Sequence, residues 1–223
     1  MFDGYFWQGV DVSGNDDDAD RAACEALQVI RSAVDLGRFR ALPAPAGPAL
    51  RIGAIGRLDR QKGFDVLIEA FRELTSPEIS LHFHGTGSEE QALRALAKGD
   101  PRIHFHGHSA VPEEALASVD VVAMPSRWEA FGLVALEARA AGRRLVVSDL
   151  DGLKDSAGIE AQFVTGHGVQ DWRLALQAAL DAGTAAPARA PGAEQEFADR
   201  WNHLVQLCLD RGEPLTRVAG GRA

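Results

Sequence analysis

Two carboxylates eight positions apart, Glu129 and Glu137, flank Phe131-Gly132-Leu133-Val134 in the stretch SRWEAFGLVALEARAAG (126–142). A helix starting near Phe131 would leave the amides of Gly132 to Val134 as unpaired donors able to receive an anion. Glu129 then lies in the loop before the helix. Glu137 falls in its second turn, where side chains lean back toward the N-terminus. Both carboxylates can thereby face one polyhydroxylated ligand whose phosphate rests on the helix start, because carboxylates accept well from vicinal hydroxyls. Taken alone, the pair reads equally as one loop acid and one solvated helix acid.

A second group lies upstream, in Gly56-Arg57-Leu58-Asp59-Arg60-Gln61-Lys62-Gly63. Arg57 leaves a strand end and Lys62 opens the next helix, so two cations and free backbone N–H groups meet at one mouth, which suits phosphate oxygens. On this stretch alone, two surface cations on a loop explain it as well. No GK[ST] follows, so it is not a Walker loop, and GTGSEE (85–90) lacks the third glycine of a dinucleotide fingerprint. Five of the seven histidines, His82, His84, His104, His106 and His108, recur at period two. H-x-H pairs on strands can bind metal, yet no cysteine reinforces them, and half-buried strand histidines with no metal are expected. His84 and His106 precede Gly85 and Gly107 at strand ends and are the two placed to touch a ligand.

The elements that must position these groups follow from periodicity. Apolar runs at 50–56, 79–85, 102–107, 119–126, 144–149 and 161–166 read as strands. FDVLIEAFREL puts Phe64, Leu67, Ile68, Phe71 and Leu74 on one helical stripe. EEQALRALAK, PEEALAS and FGLVALEARAAG fill the next gaps, the last closed by Gly142 as a C-cap glycine. Strands joined by crossover helices make right-handed βαβ units. Residues 50–185 therefore read as α/β, a doubly wound parallel sheet of Rossmann-like type whose ligands bind at the carboxyl ends of the strands. APAGP (44–48) reads as a linker, DADRAACEAL and EQEFADRWNHLVQLCLD (194–210) as flanking helices, and the tail from Arg211 as frayed.

Bulk properties narrow the field. The 223 residues carry a net charge of −9, which argues against nucleic-acid binding through bulk electrostatics but not against one small anion held by local cations. Cys24 and Cys208 stand far apart in no CxxC pair, so neither a disulfide framework nor a zinc ribbon is indicated. The acidic N-terminus lacks an apolar signal core, and no run has the length of a membrane span. A cytoplasmic, reducing location is the expectation.

In order and spacing, GRLDRQKGFDVLIEAF, HGTGSEE, IHFHG and PSRWEAFGLVALEARAAG resemble the C-terminal, donor-binding domain of the retaining GT-B glycosyltransferases of family 4. Glu129 and Glu137 match that family's E-x7-E motif, and VIRSAVDLGRF (29–39) resembles its interdomain linker. The resemblance implies a nucleotide-diphospho-sugar donor. Arg57 and Lys62 would grip the diphosphate, Glu137 the ribose hydroxyls and Glu129 the transferred sugar. The amides of Phe131, Gly132, Leu133 and Val134 would support sugar and phosphate beside Gly56, and His106 and Gly107 would lie by the nucleobase. It implies no cofactor and no metal, with leaving-group charge met by the cation pair and helix dipole.

The resemblance divides the chain into 1–48, a remnant of an N-terminal domain plus linker; 49–210, the donor domain; and 211–223, a tail. The family's Gly-Gly-x-x-Glu becomes Asp151-Gly152-Leu153-Lys154-Asp155 here, which would reshape the loop near the donor. Only about 30 residues precede the linker, so an N-terminal acceptor domain is expected to come from another chain or a second copy, or to be missing if the chain is a fragment, with self-association expected through FDGYFWQ (2–8) and the Trp201 helix. The alternative is a non-catalytic nucleotide-sugar-binding or partner subunit. A nucleotide-sugar epimerase ranks third.

Overall fold

The computed structural model describes residues 36–183 together with 202 and 206. Within it, strands β1 (Arg51–Ile55), β2 (Ser80–His84), β3 (Ile103–Phe105), β4 (Val121–Met124), β5 (Arg144–Ser148) and β6 (Gln162–Val164) form one sheet in the order β3-β2-β1-β4-β5-β6. Every pairing is parallel, with Ile55 opposite His84, Ile52 opposite Val121 and Phe83 opposite Phe105. Each expected strand lies within its apolar run, trimmed at the ends.

The helices are α1 (Gly37–Arg40), α2 (Phe64–Arg72), α3 (Glu90–Ala97), α4 (Pro112–Ala117), α5 (Leu133–Ala140), α6 (Asp151–Ala157) and α7 (Val169–Asp181), with a 3-10 turn at Arg60–Lys62. The chain first winds outward from β1 to β3, then returns across the sheet through α4 to β4 and winds the other way. Right-handed crossovers then place α2 and α3 on one face and α4, α5 and α6 on the other. Strand order therefore reverses between β1 and β4, where doubly wound sheets open a crevice beyond the strand ends.

The α2 stripe explains the first layer. Phe64, Leu67, Ile68 and Phe71 are buried against Ile52, Ala54, Leu81 and Phe83 of the sheet and against Trp172 and Leu176 of α7. The ring centroids of Phe64 and Phe83 lie 5.4 Å apart edge-to-face, and Phe83 and Phe105 stack at 4.7 Å. A buried Leu, Ile or Phe stabilises by roughly 1.5–3 kcal/mol, so this layer is the main source of fold energy. On the other face, α1 packs on α5 through the fully buried Leu36 and Phe39, within the segment expected to be the linker.

A buried carboxylate registers the two central strands. Asp120, 5% exposed, accepts from the amides of Leu50 and Arg51 at 3.1 and 2.9 Å and from the Arg51 guanidinium at 3.1 and 2.6 Å. No helix among the described residues is long and apolar enough to cross a membrane. The flanking helices expected at DADRAACEAL and 194–210, FDGYFWQ and the tail lie outside the described residues, save that Asn202 and Gln206 are helical.

Candidate functional site

Two loops leave the sheet at the reversal point, 56–63 after β1 and 125–132 after β4, and they are bound to each other. Gly63 has φ +65°, and a Cβ there would lie 2.0 Å from the Pro125 carbonyl oxygen, so only glycine permits this approach. The Arg127 amide donates to Gln61 O at 2.8 Å, and Gln61 Nε2 donates to Trp128 O at 3.0 Å. The Arg127 guanidinium forks onto Asp65 at 3.0 and 2.7 Å and donates to Arg60 O at 2.7 Å. Burial raises the Asp65 pKa, and the Arg127 contact more than offsets it, so the carboxyl is held below its ordinary range. Gln61, Asp65 and Arg127 are structural residues of the site that motif reading passed over. Their partners lie more than 60 positions away, and only the sheet brings them together.

Lys62 and Glu129 close this junction. Lys62 Nζ donates to Glu129 Oε2 at 2.7 Å, with side chains 15% and 12% exposed. Arg57 is 74% exposed and pairs with Asp59 at 3.1 Å and Gln61 Oε1 at 3.2 Å. Both cations expected to hold the diphosphate are thus paired with carboxylates of this chain.

The helix expected from Phe131 begins instead at Leu133, because Gly132 takes φ +70° as its N-cap. The amides of Ala135 and Leu136 both donate to Gly132 O, at 2.9 and 3.3 Å, which leaves those of Leu133 and Val134 as the helix's unpaired donors. Gly142, φ +69°, follows the helix as expected of a C-terminal glycine.

Glu137 points into a cleft of about 280 Å³ lined also by Gly56, Arg57, His84, His108 and Val134. Among the described residues its carboxylate has neither a hydrogen bond nor an ion pair. Burial raises its pKa; Arg38, which pairs with Glu113 at 3.2 Å, opposes that shift, and Glu113 adds to it. An adjoining cleft of about 310 Å³ is lined by His84, His106, Gly107, His108 and Glu114. The structure therefore gathers Gly56, Arg57, Val134 and Glu137 at one cleft and His106 and Gly107 at its neighbour. Lys62 and Glu129 form the wall between the loops, and Phe131, Gly132 and Leu133 do not line either cleft; Leu133 is 47% exposed.

The histidines form a stack. His82 stacks on His104 at 4.9 Å and on His106 at 5.2 Å, and His84 on His106 at 4.5 Å. Among the described residues no group of three or more His, Cys, Asp or Glu is arranged to hold a metal ion. Asp151-Gly152-Leu153 opens α6, where a Cβ on Gly152 would lie 2.0 Å from Glu129 O, so this loop packs directly behind Glu129.

The family profile described as "Glycosyl transferases group 1" matches residues 49–182. The glycogen synthase of Mycobacterium tuberculosis is 34% identical over 206 residues, covering 84% of this chain and 50% of that protein. The D-inositol 3-phosphate glycosyltransferase of an Arthrobacter species is 37% identical over 153 residues, 63% of this chain and 36% of that one. The chain spans about half the length, or less, of these curated relatives. Among solved structures, HepE of Anabaena in complex with UDP and glucose has a TM-score of 0.61 at 19% identity, over 82% of this chain and 56% of that one. The lipopolysaccharide outer core galactosyltransferase WaaB has a TM-score of 0.61 at 20% identity, over 80% and 53%. At these identities the structural likeness is one of fold. The sequence profile runs from β1 through α7 and takes in both loops of the crevice, and on that match the chain belongs to the group 1 glycosyl transferases.

Proposed function

We propose that this chain is the donor-binding half of a retaining family 4 glycosyltransferase and binds a nucleoside-diphospho-sugar in the β1/β4 crevice. The observation that carries this reading is Glu137, a carboxylate with no hydrogen-bond or ion-pair partner among the described residues, which shares its cleft with Arg57 and the first turn of α5. A half-buried acceptor with no donor is costly unless a ligand supplies one, and vicinal ribose hydroxyls do so. Arg57 and Lys62 take the diphosphate, with the Leu133 and Val134 amides beside them. Glu129 accepts from the transferred sugar. His106 and Gly107 border the nucleobase.

In the reaction, the bond between the sugar's anomeric carbon and the phosphate oxygen breaks, and a bond from that carbon to an acceptor hydroxyl forms on the same face. The hydroxyl proton leaves with the departing diphosphate. Charge growing on the leaving oxygen is met by Arg57, Lys62 and the start of α5, fixed in place before reaction by the loop junction. No metal or cofactor takes part in this reading. An acceptor-binding half completes the enzyme in this reading, and the separated cysteines suit a reducing, cytoplasmic setting.

A second reading, a non-catalytic nucleotide-sugar-binding subunit, uses the same donor site and differs from the first only in turnover. Calorimetric titration with UDP, GDP, ADP and their common sugars tests the first premise. Binding of one nucleotide, lost in Lys62→Ala, is expected; no binding of any would overturn the donor-site reading. Release of nucleotide on addition of an acceptor separates enzyme from binding module.

A further inference from the structure

One anion is built into the crevice, and it is Glu129. The Lys62 stem runs across Gly56, with Cε 3.4 Å from where a Cβ would stand, so a larger residue at 56 would displace it. The lysine leaves the 3-10 turn just before left-handed Gly63, which sets its direction. Glu129 is held from the other side: its carbonyl oxygen meets Gly152, and its Cγ passes 3.6 Å from the Cβ position of Gly132, the N-cap of α5. One carboxylate oxygen is 2.7 Å from Lys62 Nζ, in a junction from which water is largely excluded. A carboxylate thus lies on the site's half-buried lysine, with its stem beside the N-cap of α5, where an anionic ligand would go.

We propose that Glu129 is a placeholder for the donor's phosphate: it neutralises Lys62 until a nucleoside diphosphate binds and displaces it. This inference rests on the donor-site reading above and adds a sequence of events. An unpaired buried lysine would be costly, and Glu129 removes that cost until ligand arrives. The phosphate, with more charge and more acceptor oxygens, then takes Lys62. Glu129, released from the lysine, becomes an acceptor for hydroxyls of the transferred sugar. Nucleotide recognition therefore precedes sugar recognition, and free sugar does not bind alone.

The consequence is opposite to that of an ordinary ligand-binding acid. Glu129→Gln keeps the shape and an oxygen for the lysine hydrogen bond but removes the competing charge. The variant should bind the bare nucleoside diphosphate more tightly than wild type, by about three- to tenfold, the range set by a partly screened ion pair. It should lose preference for the sugar-bearing donor over the bare diphosphate. Lys62→Met should weaken diphosphate binding strongly, since it leaves Glu129 facing the phosphate. The double variant should recover part of that loss.

The experiment is calorimetry of the full 223-residue chain with UDP, GDP and ADP for wild type, Glu129→Gln, Lys62→Met and the double variant, each checked for folding by circular dichroism. Tighter diphosphate binding by Glu129→Gln, with partial recovery in the double variant, supports the proposal. Lys62-dependent binding that Glu129→Gln leaves unchanged or weakens overturns the placeholder and leaves the donor site standing. No binding by wild type or any variant overturns both.

Discussion

His82 Nδ1 and His106 Nε2 face each other at 2.9 Å across the β2–β3 edge of the sheet, and His82 Nε2 reaches Ser80 Oγ at 2.8 Å. In each contact one atom must donate and the other accept, and a neutral His82 ring, with one N–H and one bare nitrogen, satisfies both. Burial, followed by the neighbouring His104, His106, His84 and Arg51, lowers the His82 pKa to about 4; burial and His106 lower that of His84 to about 4. His84 also meets Ser118 Oγ at 3.3 Å, and Glu114 lines the same cleft.

Stability should therefore depend on pH in a defined window. The folded-state pKa values lie below the ordinary 6.5, so the unfolded chain binds protons first. The contribution is complete above pH about 6.5 and is lost as pH falls toward about 4. The two rings together should cost about 1–3 kcal/mol over that range, after discounting for their solvent exposure. Urea unfolding between pH 7 and 4 measures the slope, and His82→Gln should flatten it. An unchanged slope in that variant would contradict the role of the stack.

Asp120→Asn should destabilise the fold by about 2–4 kcal/mol, the range for breaking a buried, hydrogen-bonded ion pair. Burial raises the Asp120 pKa, and the Arg51 side chain with the Arg51 and Leu50 amides more than offsets it, holding the carboxyl below its ordinary range. The stability it contributes is present above pH about 4 and fades as pH falls below it, because here too the unfolded chain takes up its proton first. Thermal unfolding at pH 7 and pH 3 checks both statements, and the variant's deficit should shrink at the lower pH.

The frame of this fold is legible in the sequence and the junction of the site is not. Alternating apolar runs and the stripe Phe64, Leu67, Ile68 and Phe71 disclose a doubly wound sheet because burial imposes those periods directly. The start of α5 is misread by two residues because Gly132 bends the chain through φ +70°, a torsion that side-chain periodicity does not encode. Arg57 and Lys62 can be recognised as cations at a strand end. Arg57 meets Asp59 two positions along the same loop, whereas the neutralisation of Lys62 by Glu129 joins residues 67 positions apart that only the sheet brings together.

Glu137→Gln should separate stability from function. Burial raises this carboxyl's pKa, so the folded state favours its protonated form, and the charged form costs stability as pH rises above the ordinary carboxylate value. At pH 7 the uncharged amide should leave stability unchanged or raise it by up to about 1 kcal/mol. Nucleotide affinity should fall by about tenfold or more, since the amide is a poorer acceptor for paired hydroxyls. Thermal unfolding with and without nucleotide reads both effects. A variant that is less stable yet binds as well as wild type would place Glu137 in the scaffold and not in the site.

Gly63→Ala should damage the site through the backbone alone. The added methyl would stand 2.0 Å from the Pro125 carbonyl oxygen, and alanine at φ +65° is itself disfavoured. Neither loop can yield freely, because Gln61, Asp65 and Arg127 bind one to the other on both sides of the contact. The strain should cost about 2–4 kcal/mol, as a clash with fixed backbone plus a left-handed alanine. Parting the loops would also draw Lys62, on one loop, away from the start of α5, on the other, so the two could no longer grip one diphosphate and nucleotide binding should weaken even where the protein remains folded. Asp65→Asn supplies the comparison: it loosens the Arg127 fork without touching Gly63, and should weaken nucleotide binding less than Gly63→Ala. Equal stability of Gly63→Ala and wild type in urea would show that the loops can separate without cost, and the junction would not be the rigid support that the cation pair requires.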